Sequence, residues 1–469
     1  MSQHFDAIVI GTGQGGGPLA VKLAESGRRT AVIERHLFGG TCVNVGCTPT
    51  KTYVASARAA HVARHAGDYG VIVEGDVRVD LAQVKARKDR VIAQSRDGVE
   101  KWLRSTPGVV VFNGHGRFTG PHSISVTGPD GQQQALDADA IFINTGTRAT
   151  VPDVDGLAGV SHLTNSTILE LTELPEHLAI VGGSYIALEF AQMFRRFGSR
   201  VTVLVRGDRV LAREDKDFAE QVQKIMSREG VEFLFNTEAS KLEPAGKGIR
   251  IALREQMQDP MQDQKSIEAS HLLFATGRTP NTDDLGLEHA GIVLNKHGLI
   301  DVDGELRTRA EGVWALGDVN GRGAFTHTSY NDYEIIASNV VDGEARSVDS
   351  RIMCYAVFID PPLARVGMSE AEVRRDGRRA LIATMPMSRV GRARERGETD
   401  GFMKVLVDAE TKKILGAAML GIEADEAIHT FIDIMNADVP YTTLQRAMHI
   451  HPTVSELIPT LLGTLEPLK

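Results

Sequence analysis

Residues 5–35 read FDAIVIGTGQGGGPLAVKLAESGRRTAVIER. Phe5–Ile10 is an apolar run of strand length, a glycine-rich turn comes next, a helical stretch runs to about Ser26, and RTAVIER reads as a second strand. Together they form a βαβ unit of about 30 residues. Gly11, Gly13 and Gly16 stand as G-x-G-x-x-G between strand and helix. Gly11 makes the tight turn, Gly13 lets the backbone approach a pyrophosphate, and Gly16 lets the helix pack against the strand. The helix N-terminus then faces the phosphates. Glu34 lies 18 residues after Gly16, at the end of the second strand, where it can accept hydrogen bonds from a ribose diol. An ordinary glycine-rich loop would lack this strand, helix and acid.

The pattern starts again at His177–Arg206, HLAIVGGSYIALEFAQMFRRFGSRVTVLVR, so the chain carries two dinucleotide-binding units. Gly182 holds the first glycine place, with Ser184 and Ala187 at the second and third. Where the first unit ends in an acid, Val205 is followed by Arg206, with Arg209 and Arg213 nearby. A carboxylate there would repel a 2′-phosphate and arginine attracts one, so the second site tilts toward NADPH, with NADH as the alternative. Arg206 as a solvated strand-end charge is the competing reading. FINTGTRATVP (Phe142–Pro152) and FATGRTPN (Phe274–Asn281) close the two units. The polar stretch REQMQDPMQDQKS, Arg254–Ser266, reads as a surface hairpin. From about Arg351, the runs CYAVFI, GFMKVLV and ILGAAMLG, followed by helices to the end, make a separate α+β domain.

At 469 residues the chain should split into two to four domains. A hydrophobic fraction of 42% and a charged fraction of 24% are those of a globular protein. The net charge of −9 argues against a nucleic-acid partner. No apolar run is long enough to span a membrane. MSQHFDAIVI has no charged leader before an apolar core, so a cytoplasmic location is expected. The fold class is α/β: two Rossmann-like three-layer nucleotide-binding domains plus a C-terminal α+β domain. The boundaries are 1–150, 151–276, a return segment 277–347 that completes the first domain, and 348–469.

Cys42, Cys47 and Cys354 are the only cysteines, too few for a secreted disulfide framework. Two sulfurs five positions apart near a helix start can close a small ring, and the helix terminus with a nearby cation would hold a thiolate. A buried thiol pair or half of a metal site are the other readings. A metal site wants further ligands, and no second cysteine cluster exists, so no resident metal is expected. Cys354 reads as a buried core residue.

The segment GGTCVNVGCTPTK, residues 39–51, resembles the active-site signature of the class I flavoprotein disulfide reductases, and the likeness extends over essentially the whole chain. The resemblance implies FAD in the first site, NAD(P)H in the second, and a homodimer in which the C-terminal domain completes the partner's active site. It implies that Cys47 is the flavin-side thiol and Cys42 the interchange thiol that meets substrate. Lys51 would stand beside the flavin with Glu189 as its ion-pair partner. Tyr185 would be the aromatic gate moved aside by nicotinamide, and Asp318 would bind the ribityl chain. Gly116, Thr145, Gly146 and Thr326 fall at positions resembling backbone contacts to FAD, and Thr41, Gly277 and Ile186 join the cofactor-binding residues. In HIHPTVSELIP, His451 and Glu456 match the acid–base dyad of disulfide-reducing members, with a cis peptide before Pro452.

The tail LLGTLEPLK lacks the terminal cysteine pair of mercuric reductases. FINTGTRATVP, FTHTSYNDYEII and YAVFIDPPLARVGMSE resemble a bacterial branch linked to reactive-chlorine and metal stress. The implied substrates are a small disulfide or a soft metal ion such as Cu(II) or Hg(II). A flavin-only transhydrogenase or quinone reductase is the alternative enzyme, and a redox or metal sensor the non-enzymatic reading. Gly391–Arg396, GRARER, is either a substrate-entrance loop or a solvated charged loop.

Overall fold

The structure is a computed structural model and describes residues 2–255 and 265–469. In chain order it has β1 (Gln3–Ile10), α1 (Gly16–Glu25), β2 (Thr30–Glu34), α2 (Gly40–Asn44), α3 (Cys47–Arg64), α4 (Leu81–Ser105), β3 (Val109–Asn113), β4 (His115–Gly120), β5 (Ser123–Thr127), β6 (Gln133–Ile143) and β7 (Thr147–Ala149). Then come β8 (His177–Val181), α5 (Tyr185–Phe197), β9 (Arg200–Val205), α6 (Lys216–Arg228), β10 (Val231–Phe235), β11 (Thr237–Ala245), β12 (Gly248–Glu255), β13 (Ser266–Ala269) and β14 (His271–Phe274). Beyond these lie β15 (Arg278–Pro280), β16 (Val313–Ala315), α7 (Thr326–Val341), β17 (Cys354–Val357), β18 (Leu363–Gly367), α8 (Glu370–Asp376), β19 (Ala380–Pro386), α9 (Gly391–Glu395), β20 (Phe402–Asp408) and β21 (Ile414–Leu420). Four short helices lead to a terminal strand, β22 (Glu466–Pro467), where the sequence pattern predicts helix to the end.

The chain divides into two units. The first gathers Met1–Thr52, Lys85–Thr150 and Gly277–Arg351. Its sheet runs β3-β2-β1-β6-β5-β4 among the described residues, with β16 paired to the C-terminal end of β6. β1, β2, β3 and β16 are parallel to β6 or to one another, whereas β4 and β5 form an antiparallel flap on the N-terminal end of β6. Strands buried on both faces must be apolar throughout. Ala7, Ile8 and Val9 of β1 are fully buried, as are Ile141, Phe142 and Ile143 of β6. Leu19 and Leu23 of α1 pack on this core, each contributing roughly 2 kcal/mol of burial. Because β1, β2, β6 and β16 run the same way, the residues after their ends, Gly11, Arg35, Asn144 and Leu316, emerge at one edge. That edge is where open α/β sheets bind ligands.

The second unit gathers Tyr53–Val84, Val151–Thr276 and Ile352–Lys469. Its parallel sheet has the order β10-β9-β8-β14. α5 presents Phe190, Phe194 and Phe197 to a buried cluster, and Phe194→Ala would cost about 3–5 kcal/mol. β11, β12 and β13 form an antiparallel sheet with Ala252 opposite Ser266. The tip of the expected surface hairpin, residues 256–264, lies outside the described residues. The third sheet, β17-β18-β21-β20-β19-β22, is antiparallel and carries the α+β character of the C-terminal region.

Within this unit buried charges are matched. Arg365 donates to Glu214 at 2.8 Å and Asp215 at 3.1 Å, and Arg196 pairs with Glu229 and Asp360. Removing one partner of such a pair strands a buried charge, at a cost of about 3–5 kcal/mol.

Candidate active site

The first glycine turn is closed by sterics and hydrogen bonds. Gly11 has φ +101°, and a Cβ there would lie 2.4 Å from the Asn144 carbonyl oxygen. A Cβ on Gly13 would meet Asn144 Oδ1 at 2.7 Å, and one on Gly16 would meet the Gly11 carbonyl at 2.2 Å. Asn144 itself is buried: its Oδ1 accepts from the Gly16 N–H at 3.0 Å and its Nδ2 donates to the Leu316 carbonyl at 2.8 Å. Glu34 sits beside the turn. Its Oε2 accepts from the Thr12 N–H (3.0 Å) and hydroxyl (2.6 Å), and its Oε1 accepts from the His36 N–H at 2.9 Å. Gly40, first residue of α2, is so close that a Cβ would lie 2.9 Å from Gly13 Cα. A backbone stripped of side chains, at the start of a helix and next to a carboxylate, fits the pyrophosphate and ribose of a dinucleotide. Gly116 lies on β4 against Ile33.

The two cysteines are held by adjacent helices. Thr41 and Cys42 lie in α2, and Cys47 begins α3. The helix starts two residues before Pro49, because a proline in the first turn removes only an N–H that would have no helical partner. Cys42 and Cys47 stand as two thiols in contact. The Thr326 hydroxyl lies 3.2 Å from Cys47 Sγ. The hydrogen bond to Cys47, burial, and the charge of Cys47 push the Cys42 thiol far above its ordinary range, against a smaller pull from Thr326. Lys51 stands one turn later on α3.

Asp318 lies just after β16. Its Oδ2 accepts from the Thr147 hydroxyl at 2.9 Å and lies 3.9 Å from Arg278 Nε. Burial raises this carboxyl, opposed by Thr147 and Arg278. Its loop is anchored by Asp332, which accepts from the Gly317 N–H at 2.8 Å and Asn320 Nδ2 at 3.0 Å and is ion-paired with Arg351. Thr145 and Asn281 exchange hydrogen bonds at 2.9 and 2.8 Å. Gly146 (φ +64°) and Gly277 (φ +122°) both leave open space at the Cβ position.

In the second unit Gly182 has φ +132°, and a Cβ would lie 2.3 Å from the Ala275 carbonyl. Ser184 stands just before α5 with no capping hydrogen bond from its side chain, and the first helical residues, Tyr185 and Ile186, are half-buried against the apolar cluster. Glu189 is buried and accepts from the Phe358 N–H at 2.9 Å. Arg206 and Arg213 are exposed. Arg209 donates to the Ala212 carbonyl at 3.2 Å, while its Nε is buried with no partner among the described residues. His451 and Glu456 meet at 2.7 Å through Nδ1 and Oε2; the imidazole side chain is 80% exposed and the carboxylate 12%. A Glu456 carboxylate accepts at this distance from Nδ1–H, which leaves Nε2 outside the pair. The peptide before Pro452 is cis, as the resemblance implies. Gly391, which begins the arginine-rich helix α9, stands with a Cβ position 3.8 Å from Glu456 Oε1.

The structure thus gathers Gly11, Gly13, Gly16, Glu34, Thr41, Cys42, Cys47, Lys51, Gly116, Thr145, Gly146, Gly277, Asp318 and Thr326 in the first unit. It puts Gly182, Tyr185, Ile186, Glu189, Arg206, His451 and Glu456 in the second. Cys354 is half-buried against the C-terminal core, and burial pushes its thiol up. Sequence reasoning passed over Asn144, which stands inside FINTGTRATVP and whose place directly after an apolar strand was the available signal. It also passed over Asp332 and Arg278. Among the described residues no group of three or more His, Cys, Asp and Glu could hold a metal ion, and no helix is long and apolar enough to cross a membrane.

The sequence profile described as "Pyridine nucleotide-disulphide oxidoreductase" matches residues 5–332, and that family's dimerisation domain matches residues 353–462. The chain is 36% identical over 466 residues to "Probable pyridine nucleotide-disulfide oxidoreductase RclA" of Escherichia coli strain K12, covering 98% of this chain and 99% of that one. It is 34% identical to the mercuric reductase of Streptomyces lividans, covering 97% and 94%. Among solved structures, the Cu(II) complex of the HOCl-induced flavoprotein disulfide reductase RclA from E. coli superposes with a TM-score of 0.89 at 34% identity, covering 99% of each chain.

Proposed function

The chain belongs to the pyridine nucleotide-disulphide oxidoreductase family, and on that premise we propose that it is an NADPH-dependent reductase whose Cys42–Cys47 pair delivers electrons to a small disulfide or a soft metal ion. The family is FAD-dependent and uses a pyridine nucleotide, and the enzyme is an oxidoreductase acting on sulfur groups or metals. The observation that carries the reading is the pair itself: two thiols in contact, one at the first residue of an 18-residue helix.

Gly11, Gly13, Gly16, Glu34, Thr41, Lys51, Gly116, Thr145, Gly146, Gly277, Asp318 and Thr326 would hold FAD. When bound, FAD supplies the two-electron connection between a nicotinamide and the cysteines. We assign residues 1–150 and 277–347 to this domain, 151–276 to the nicotinamide nucleotide and 348–469 to dimerisation. Gly182, Tyr185 and Ile186 would face the nucleotide. Arg206, with Arg209 three residues on, whose Nε has no partner among the described residues, favours a 2′-phosphate and hence NADPH.

The residues then act in sequence. Cys42 loses its proton and its sulfur attacks the substrate disulfide, forming a mixed disulfide and expelling one thiolate. His451, held by Glu456, protonates that thiolate; in a homodimer the dyad of one copy serves the Cys42 of the other. Cys47 then attacks the Cys42 sulfur, the second substrate thiol leaves, and the Cys42–Cys47 disulfide re-forms. Two electrons have passed to the substrate, and two protons complete its thiols. A soft metal ion is the alternative acceptor, supported by the likeness to the RclA structure titled as a Cu(II) complex. The sparse cysteine usage fits the cytoplasm.

The test is a panel of oxidised glutathione, lipoamide, Cu(II) and Hg(II), with NADPH consumption monitored at steady state. One oxidant should support turnover, and Cys42→Ser should abolish it while NADPH still bleaches the flavin. Full turnover by that variant would make this a flavin-only enzyme and end the relay reading.

A further inference from the structure

We infer that Leu211 and Asn236 are positioning residues for nucleotide choice: two left-handed backbones clamp the loop from Arg206 to Arg213, so that its arginines stand in fixed places at the adenosine end of the second site. This rests on the reading of that site as tilted toward NADPH, and it adds to that reading the device that holds the arginines.

Three observations carry it. The loop between β9 and α6 alternates in depth. Arg206, Gly207 and Asp208 are exposed, Val210 and Leu211 are buried, Ala212 and Arg213 are exposed, and Glu214 and Asp215 are buried again. Its arginines therefore ride on short crests between buried feet. The loop is also tied to its neighbours at two points. The Leu211 N–H donates to the Gly183 carbonyl at 2.8 Å, inside the glycine turn that follows β8. The Asn236 N–H, just past β10, donates to the Gly207 carbonyl at 2.9 Å. Between these ties Arg209 Nη2 donates to the Ala212 carbonyl at 3.2 Å, and beyond them Glu214 and Asp215 hold the far end on Arg365. Finally, both tying residues are left-handed, with φ +47° at Leu211 and +52° at Asn236. Asparagine adopts that conformation readily, whereas for leucine it is a costly outlier. A leucine persists there only where its surroundings over-determine it; here they are the Gly183 carbonyl and the buried cluster that Leu211 joins with Val205 and Val210. In such a unit the glycine turn faces the pyrophosphate and the end of the next strand faces the ribose 2′-position. Tying the loop to the turn sets the arginines relative to the pyrophosphate, and donors fixed in advance lose less freedom on binding a phosphate.

Nucleotide choice can be read in the holoenzyme without an oxidant. Anaerobic bleaching of the flavin in a stopped-flow instrument gives an apparent Kd for NADPH and one for NADH, and their ratio is the selectivity. Isothermal titration with 2′,5′-ADP and with 5′-AMP, which differ by the 2′-phosphate alone, reads binding without hydride transfer. Leu211→Ile keeps the size and apolarity but places a β-branched side chain at positive φ, so selectivity should fall about tenfold. Leu211→Met, unbranched at Cβ, should stay within about twofold of the parent. Asn236 is exposed, so its variants leave the core intact. Asn236→Val should lower selectivity about threefold, and Asn236→Gly, for which the left-handed conformation is free, should stay within about twofold. A selectivity unchanged in Leu211→Ile and Asn236→Val, or an equal loss of affinity for both nucleotides, would overturn the inference. If Leu211→Ile yields no folded protein, the two Asn236 variants decide it alone. A parent with no preference for NADPH refutes the NADPH reading itself, and the inference falls with it.

Discussion

In the first glycine turn, a Cβ at Gly11, Gly13 or Gly16 would come within 2.4, 2.7 or 2.2 Å of another atom. In the second turn Gly182 is equally confined, at 2.3 Å from the Ala275 carbonyl, but Ser184 and Ala187 occupy the other two places without harm. The difference lies in the residue just past the neighbouring strand. After β6 stands Asn144, whose carbonyl blocks Gly11 and whose side chain crowds Gly13, while Gly16 is confined first by the Gly11 carbonyl and then by Asn144. After β14 stands Ala275, which offers a carbonyl and little else. The number of glycines a turn requires is thus set by its packing partner as well as by the nucleotide it faces. The turns also part at the strand ends, where Glu34 meets three donors and Arg206 stands in solvent.

The largest expected effect comes from breaking each turn at its common point. Gly11→Ala should yield protein without flavin, read as the ratio of flavin to protein absorbance after gel filtration. Gly182→Ala should keep flavin yet lose reduction by NADPH, with the apparent KM rising by about 100-fold or more, since both carry a side chain at positive φ into a carbonyl. Next, Arg206→Glu should lower the ratio of kcat/KM for NADPH over NADH by about 100-fold, from loss of one charged hydrogen bond and gain of a repulsion. An unchanged ratio would return Arg206 to the status of a solvated charge.

Asn144→Ala should cost about 1–3 kcal/mol in denaturant unfolding, because it strands the Gly16 N–H and the Leu316 carbonyl. It should also make Gly13→Ala milder than in the parent, a coupling that a double-mutant cycle reads directly. Additive effects would show that Asn144 is not the source of the crowding. The smallest change is Ala187→Gly, expected to lose about 1 kcal/mol of helix stability with no gain in nucleotide affinity.

Both strand-turn-helix-strand units and the cysteine pair were legible because their signals are local: apolar runs, glycine spacing and two sulfurs five positions apart fall within about 30 residues. Asn144 was not, because its partners lie 128 and 172 residues away and its role exists only once the sheet has formed. The Thr326 hydroxyl was hidden for the same reason. The terminal strand β22 escaped because two residues carry no periodicity. It exists by pairing with Leu381 and Ile382, and its neighbour Leu468 donates to the Ala380 carbonyl.

The pairing of β16 with β6 also sets a clock on biosynthesis. Ile141, Phe142 and Ile143 are fully buried in the finished sheet, and β16 covers their edge from Val313, Trp314 and Ala315. A ribosome adding about 5–20 residues per second needs roughly 10–30 s to travel from β6 to β16. For that interval the nascent protein carries an open, apolar, parallel strand edge. Newly made chains on crowded polysomes should therefore be most exposed to mispairing after the second unit's parallel sheet has emerged and before the first sheet can close.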